Sequence, residues 1–202
     1  MPHVGFNGLS LLTRPGRVMT PRRASEQLVA AALGRVGSRP ARVVDVGTGT
    51  GAIAVAIATA APNVHVFATD TSRCAVALAR GNARRHGVDD RVTVRHGDLL
   101  DPVPGRIDLV VANLPYLAAA DAGRYPDLAE EPAAAVFARG DGLEPYRRLL
   151  AACEGRLEED AWIIIQLHRR VLSATAAELR ALRGRLEQPR PLAEHLPGLA
   201  AA

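Results

Sequence analysis

The chain has 202 residues, of which 48% are hydrophobic, and this size and composition indicate one ordinary domain that buries a core without disulfides or metal. No apolar run is long enough to span a bilayer and the first residues lack the pattern of a secretory signal, so we expect a cytoplasmic protein that contacts no membrane. The net charge is +4, but all 25 basic residues are arginines spread along the chain and only 3% of residues are aromatic, so a nucleic-acid partner has weak support.

The two cysteines, Cys74 and Cys153, match no metal-ligand or redox spacing, and we expect both to be free thiols. No metal site is predicted. Because the sequence shows no linker and no internal repeat, we expect residues 1–202 to form a single domain. An N-terminal segment with the first helix would occupy 1–40, and the core would occupy 41–202.

Strand-like and helix-like segments alternate along the chain. In chain order, the hydrophobic periodicity predicts helix 25–36, strand 42–46, helix 50–61, strand 64–68, helix 72–86, strands 92–95 and 107–112, helix 143–157, strand 162–167 and a helix at about 172–182. Ser25 is expected to cap the first helix, and the segment 117–124 is expected to be the most mobile loop. Short apolar strands separated by helices need crossover connections, which predicts an α/β fold with a doubly wound, mostly parallel sheet and helices on both faces.

The turn after the first core strand carries the sequence VVDVGTGTGA at residues 43–52. Gly47, Gly49 and Gly51 lack a Cβ atom, which permits positive φ angles and close approach of a ligand to the backbone. A simple tight turn would need one glycine, so this turn indicates a binding site. The pattern also satisfies the fingerprint of proteins that bind nicotinamide dinucleotides. Asp70, at the end of the next strand, could accept hydrogen bonds from the ribose hydroxyls of such a dinucleotide or of another cofactor that carries a ribose. The glycine turn alone does not distinguish these cofactors.

Two later strand ends also carry candidate site residues. The sequence HGDL follows the third core strand, where Asp98 could accept a hydrogen bond from the amine of adenine and Leu99 could lie against the ring. The alternative for Asp98 is an exposed turn residue. The fourth core strand ends in the sequence ANLPY, which begins with Ala112 and lies beside the point where open α/β sheets bind ligands.

The sequence DVGTGTG at 45–51 is similar to the glycine motif of class I S-adenosylmethionine (SAM) methyltransferases. Together with MTPRRASE at 19–26, NLPY at 113–116 and EPAAAVFARGDGL at 131–143, it resembles the HemK/PrmC-type protein-(glutamine-N5) methyltransferases over residues 18–167. This resemblance implies a Rossmann-like methyltransferase fold with SAM as the cofactor.

The resemblance also implies two sets of site residues. The SAM site would be formed by Gly47, Thr48, Gly49, Thr50, Gly51, Asp70, Asp98, Leu99 and Asn113. The methyl-acceptor site would be formed by Asn113, Leu114, Pro115 and Tyr116, with Asn113, Pro115 and Tyr116 as the catalytic set.

The chemistry of amide methylation accounts for this motif. The lone pair of an amide nitrogen or of the adenine amine is delocalised, so the protein must align the nitrogen with the methyl group, which is a positioning task. The side-chain oxygen of Asn113 and the carbonyl of Leu114 can each accept one N–H of an NH₂ group. Pro115 fixes the turn and Tyr116 offers a face on which a planar amide or base can stack.

Departures from the family pattern keep the acceptor open. Leu114 stands where the family usually has proline, which is similar to the motif of ribosomal RNA adenine dimethyltransferases, and Gln166 stands where a glutamate is usual. The family's N-terminal helical domain has no counterpart, so an activating partner subunit could replace it. We expect an N-methyltransferase acting on a protein glutamine, such as that of the Gly-Gly-Gln loop of a peptide chain release factor. The alternatives are N6-adenine in RNA or DNA, a small amide or amine, and a SAM-binding subunit without catalysis.

Overall fold

A computed structural model describes residues 1–167, and all bounds below refer to that part of the chain. The strands are, in chain order, β1 (His3–Phe6), β2 (Leu9–Leu12), β3 (Ala41–Val46), β4 (Val64–Asp70), β5 (Val92–His96), β6 (Ile107–Ala112), β7 (Leu117–Ala118), β8 (Phe137–Ala138) and β9 (Leu157–Ile165). The helices are α1 (Glu26–Val36), α2 (Ala52–Ala60), α3 (Arg73–Arg85), α4 (Ala133–Val136) and α5 (Glu144–Cys153). Among these residues no helix is long and apolar enough to cross a membrane.

Five strands form a parallel sheet in the order β5-β4-β3-β6-β9. The chain moves outward from β3 through β4 to β5, then returns to the other side of β3 with β6 and β9. This reversal places the carboxyl ends of β3 and β6 side by side at the topological switch point, where a crevice opens for a ligand. The doubly wound, mostly parallel sheet predicted from the sequence is confirmed.

Two hydrophobic cores lie on opposite faces of the sheet, because successive strand residues point to opposite sides. Val43 packs in the core that α1, α2 and α3 cover, whereas its neighbour Val44 packs in the core that α5 covers. Helix α2 is apolar on every side and is almost wholly buried, which is typical of a helix enclosed between the sheet and other helices.

The predicted helices within the described residues are confirmed, with ends that differ by up to four residues. The last strand begins at Leu157 instead of 162, because its polar first half is partly exposed at the sheet edge and shows no continuous apolar run. The helix expected at 172–182 lies outside the described residues. Both cysteines are free, as expected.

Two expectations for the N-terminal region need correction. Strands β1 and β2, which were not predicted, form a hairpin joined by Asn7 and Gly8, whose φ angles of 48° and 78° suit a tight two-residue turn. Ser25 lies in a short 3-10 turn, Arg23–Ser25, and its side chain makes no capping hydrogen bond to α1. Its backbone is helical, with φ −76° and ψ −11°, whereas a capping residue is normally extended. Its hydroxyl instead accepts a hydrogen bond from the side-chain amide of Asn113 (3.1 Å).

The segment 117–124 is also more regular than expected. It contains β7, which pairs with β8, and a 3-10 turn at Ala119–Arg124. A second 3-10 turn at Pro126–Leu128 follows, and Leu117, Leu128 and Val136 form a small buried cluster. The segment is therefore folded back on itself beside the end of β6, although its mobility stays a prediction.

The hairpin packs against the core through Phe6 and Leu11, and one buried polar side chain also ties it to α3. The side chain of Asn82 on α3 is fully buried and accepts a hydrogen bond from the Leu12 amide (2.8 Å). It also donates to the carbonyl oxygens of Leu12 (3.1 Å) and Thr50 (2.8 Å). A buried amide with these partners holds its neighbours in one arrangement, because leaving any of the groups unpaired would be costly.

Candidate active site

A cavity of about 410 Å³ lies at the carboxyl ends of the central strands. Of the residues predicted for the SAM site, those that line it are Gly47, Gly49, Asp70, Asp98, Leu99 and Asn113. Thr48, Thr50 and Gly51 belong to the same turn but do not line the cavity. We call this space the larger cavity.

The glycine turn has the backbone conformation that its sequence predicts. Gly47, Gly49 and Gly51 have φ angles of 72°, 55° and 80°. A Cβ at Gly51 would lie 2.9 Å from the Cβ of Ala79 on α3, and one at Gly47 would lie 2.8 Å from a methyl of Leu114. Gly51 therefore requires glycine for space as well as for φ, whereas Gly47 requires it for φ, because the end of the Leu114 side chain can move.

Asp70 connects the glycine turn to the start of α3. One carboxylate oxygen accepts a hydrogen bond from the Gly49 amide (2.9 Å), and the other accepts one from the Ser72 amide (2.8 Å). Burial raises the pKa of Asp70, and these two hydrogen bonds oppose that rise. Each carboxylate oxygen has a further lone pair, so Asp70 can still accept hydrogen bonds from a ligand in the larger cavity.

Asp45 was not predicted as a site residue, although it precedes the first glycine of the motif by two positions. It is 1% exposed, and one carboxylate oxygen accepts hydrogen bonds from the Thr48 hydroxyl (2.6 Å) and the Ala54 amide (3.1 Å). The other oxygen has no hydrogen-bond partner. Burial raises the pKa of Asp45 to about 6, with a smaller contribution from the charge of Asp70.

Asp98 is held by an arginine that sequence reasoning missed. The guanidinium of Arg148 on α5 pairs with one oxygen of Asp98 and also lines the larger cavity. Asp98 is partly buried, and its role in the SAM site stays a prediction. Its neighbour Leu99 has a φ of 44°, and its carbonyl accepts a hydrogen bond from the Thr69 hydroxyl (2.8 Å). With 25 arginines in the chain, no sequence signal singled out Arg148.

The segment 113–116 directly follows β6. The side-chain amide nitrogen of Asn113 donates a hydrogen bond to the Ser25 hydroxyl (3.1 Å). The side-chain oxygen of Asn113 is then the group available to a ligand. Leu114 is buried, while Tyr116 is partly buried and burial raises its pKa. The segment therefore presents two hydrogen-bond acceptors, the side-chain oxygen of Asn113 and the main-chain carbonyl of Leu114.

A second cavity, of about 220 Å³, adjoins the first. We call it the smaller cavity. The two cavities share the lining residues Met19, Asn113, Leu114, Pro115 and Ala135. The remaining wall of the smaller cavity includes Tyr116, Arg22 and Tyr125.

The segments 19–26 and 131–143, which carried much of the resemblance, meet beside these cavities. The amide of Thr20 donates a hydrogen bond to the carboxylate of Glu131 (3.1 Å). Met19 lines both cavities, and Arg22 lies 3.9 Å from Asp127 in an exposed ion pair. The N-terminal segment is therefore part of the site, and its position was not apparent from the sequence.

The sequence model of the methyltransferase small domain family matches residues 24–130, just over half of the chain. The chain is 39% identical over 165 residues to a release factor glutamine methyltransferase of Geobacter sulfurreducens, covering 80% of this chain and 57% of the relative. It is 39% identical over 171 residues to one of Deinococcus radiodurans, covering 84% of this chain and 61% of the relative. The chain thus spans about three fifths of the length of these curated relatives.

Solved structures share the fold at lower identity. The hMettl16 catalytic domain in complex with a MAT2A 3′UTR hairpin has a TM-score of 0.71 at 18% identity, covering 90% of this chain and 68% of that chain. The ribosomal protein L11 methylase of Lactobacillus delbrueckii has a TM-score of 0.60 at 22% identity, covering 83% of this chain and 70% of that chain. These similarities agree with the Rossmann-like methyltransferase fold.

The raised pKa of Asp45 predicts a pH-dependent stability. In the folded protein this pKa lies at about 6 instead of 3.8, so the stabilising contribution of the protonated group is complete below pH 3.8 and is lost as the pH rises through 6. The free energy of unfolding of the wild type, relative to Asp45→Asn, should therefore fall by about 2 kcal/mol between pH 4 and pH 7. Urea unfolding at a series of pH values measures this difference.

The exposed Asp89 provides the control. Asp89→Asn should have a pH profile parallel to that of the wild type. A difference between the wild type and Asp45→Asn that does not change with pH would contradict the prediction.

Proposed function

The chain belongs to the methyltransferase small domain family, and from this premise we propose that it is a SAM-dependent N-methyltransferase that modifies a glutamine side-chain amide of a peptide chain release factor. The observation that carries the proposal is the junction of the two cavities. A cofactor-sized cavity and a smaller one share the backbone of Asn113, Leu114 and Pro115, so a donor and an acceptor bound on either side would meet at this motif.

The residues of the larger cavity fit SAM. Asp70 offers carboxylate lone pairs to the ribose hydroxyls, Leu99 offers an apolar surface to adenine, and Asp98 keeps one oxygen that Arg148 does not occupy. The backbone of Gly49 is open to the ligand. The nearest atom to a Cβ placed at this position would be a methyl carbon of Val18, 3.8 Å away. SAM supplies a methyl group on a positively charged sulfur, which needs no further activation by the protein.

The acceptor geometry favours an NH₂ group. Ser25 orients the Asn113 side chain so that its oxygen is available, and the Leu114 carbonyl provides a second acceptor. Each hydrogen bond contributes about 0.5–1.5 kcal/mol. Together they select a planar amide with two N–H donors over a methyl-accepting oxygen, which has at most one hydrogen to donate and would leave at least one group unpaired. Pro115 at the shared wall and Tyr116 in the smaller cavity would then hold the amide plane against the motif.

Leu114 is compatible with a glutamine acceptor although proline is usual at this position in the HemK/PrmC-type family. The leucine side chain lies over Gly47, in space that any other residue at position 47 would fill. The main-chain carbonyl on which the hydrogen bond depends is present in either residue. The adenine amine is the second candidate, because it presents the same planar NH₂ and Leu114 resembles the adenine dimethyltransferase motif.

The release factor is favoured by the two curated relatives, whose names specify it, and by the contact between Thr20 and Glu131, which brings two family-like segments together beside the smaller cavity. Because release factors act on ribosomes, the proposal places the protein in the cytoplasm.

The test is transfer of a labelled methyl group from SAM to a purified release factor. We expect label on the factor with an intact Gly-Gly-Gln loop and none when its glutamine is replaced by alanine. Structured RNA, assayed in parallel, tests the adenine candidate. Label on RNA alone would overturn the glutamine proposal. Label that appears only after a second protein is added would indicate that a partner completes the substrate site.

Replacing Asn113 separates acceptor binding from cofactor binding. Asn113→Ala should reduce kcat by at least about 100-fold, because one of the two groups that orient the amide is lost and the nitrogen is misaligned. The Kd for SAM, measured by calorimetry, should stay within about threefold of the wild type. Asn63→Ala, an exposed amide bonded to the Ser38 carbonyl far from both cavities, is the control and should be fully active. An active Asn113→Ala protein would refute the acceptor site.

Replacing Asp70 tests the cofactor site. Asp70→Ala should weaken SAM binding by about 10–100-fold, because hydrogen bonds to a charged group contribute about 1.5–3 kcal/mol and the anchor of the Gly49 amide is also lost. Calorimetric titration with SAM measures the change, with Asp89→Ala as the matched surface control. Equal affinity in the two variants would remove Asp70 from the cofactor site.

A further inference from the structure

The hydroxyl group of Tyr146 contacts three main-chain atoms at the ends of two neighbouring strands. Tyr146 lies in the first turn of α5 and is 1% exposed. Its hydroxyl oxygen lies 3.1 Å from the Leu114 amide nitrogen, 2.9 Å from the Leu114 carbonyl oxygen and 2.7 Å from the Gln166 carbonyl oxygen. One side chain thus joins the segment after β6 to the segment after β9.

The single proton of this hydroxyl determines what the contacts can do. The oxygen accepts the Leu114 N–H, and the proton can go to only one carbonyl at a time. Gln166 offers the shorter contact, and the Leu114 carbonyl has two lone pairs. In either arrangement the Leu114 carbonyl keeps at least one lone pair for an N–H of the acceptor. Burial raises the pKa of Tyr146 well above 10, so the hydroxyl remains a neutral donor.

The partner strand gives this contact a fixed reference. The Gln166 amide donates a hydrogen bond to the Ala112 carbonyl (3.0 Å), which continues the pairing of β6 with β9 up to the residue before Asn113. The sheet therefore fixes the position of Gln166, and the hydroxyl of Tyr146 links Leu114 to it. On the opposite side, Ser25 holds the Asn113 side chain. Both acceptor groups are thus oriented from outside the motif.

We propose that Tyr146 is a positioning residue for methyl transfer, which sets the direction of the Leu114 carbonyl through its hydroxyl while making no contact with the substrate itself. This inference rests on the proposed function. The packing of α5 does not depend on the hydroxyl, because Leu149, Leu150 and Cys153 bury the same face of the helix against the sheet. Loss of the hydroxyl should therefore allow the Leu114 carbonyl to change its direction while the protein stays folded.

The test compares Tyr146→Phe with Leu149→Val, which shortens a fully buried side chain one turn along the same helix. In Tyr146→Phe, kcat should fall about 10–100-fold, while the Kd for SAM stays within about threefold. Leu149→Val, assayed well below its melting temperature, should keep wild-type kcat. Activity is measured with whichever acceptor, glutamine or RNA, the wild type methylates. A Tyr146→Phe protein whose kcat equals that of Leu149→Val would overturn the proposal.

Hydrogen exchange provides a readout that requires no acceptor. The amide of Leu114, followed by NMR, should exchange at least about 10-fold faster in Tyr146→Phe than in Leu149→Val, because only the former loses its hydrogen-bond acceptor. Unchanged protection of this amide would refute the positioning role even if glutamine is methylated. Faster exchange in a protein that labels no glutamine would leave the positioning contact supported and would count against the proposed function alone.

Discussion

Two carboxylates control the conformation of a turn that has almost no side chains of its own. Asp45 lies beneath the glycine turn and Asp70 beside it, and together they accept hydrogen bonds from the Thr48 hydroxyl and from the amides of Gly49, Ser72 and Ala54. Burying an acidic group is unfavourable, and the raised pKa of each aspartate reflects that cost, to which the charge of Asp70 adds at Asp45. The hydrogen bonds offset it and hold the turn open toward the larger cavity.

The acceptor motif follows a different principle, because its orientation comes from neighbours distant in sequence. Ser25 is 88 residues from Asn113, and Tyr146 is 32 residues from Leu114. Ser25 directly precedes α1 and Tyr146 belongs to α5, and these two helices lie on opposite faces of the sheet. The residues that follow β6 are therefore held by contacts from both faces. A short motif can align a weak nucleophile only when the surrounding fold keeps the hydrogen-bonding groups of that motif in fixed positions.

Local signals account for what the sequence predicted. All three glycines adopt positive φ angles and Gly51 also has no space for a Cβ. Residue type alone meets these requirements, so the turn and the strands around it were identified correctly. The N-terminal hairpin also had a local signal, the Asn7-Gly8 pair, which was overlooked because its strands are only four residues long. The contacts of Arg148 with Asp98 and of Tyr146 with Leu114 had none, since they depend on how α5 packs against the sheet.

The buried amide of Asn82 has a consequence for how the start of the chain communicates with the glycine turn. Because one side chain bonds both Leu12 and Thr50, the hairpin and the turn share a single anchor. Separation of the hairpin from α3 would leave the buried Asn82 amide without its two partners at Leu12. The cost of that loss would fall on the same side chain that bonds the carbonyl of Thr50, next to the last glycine of the turn.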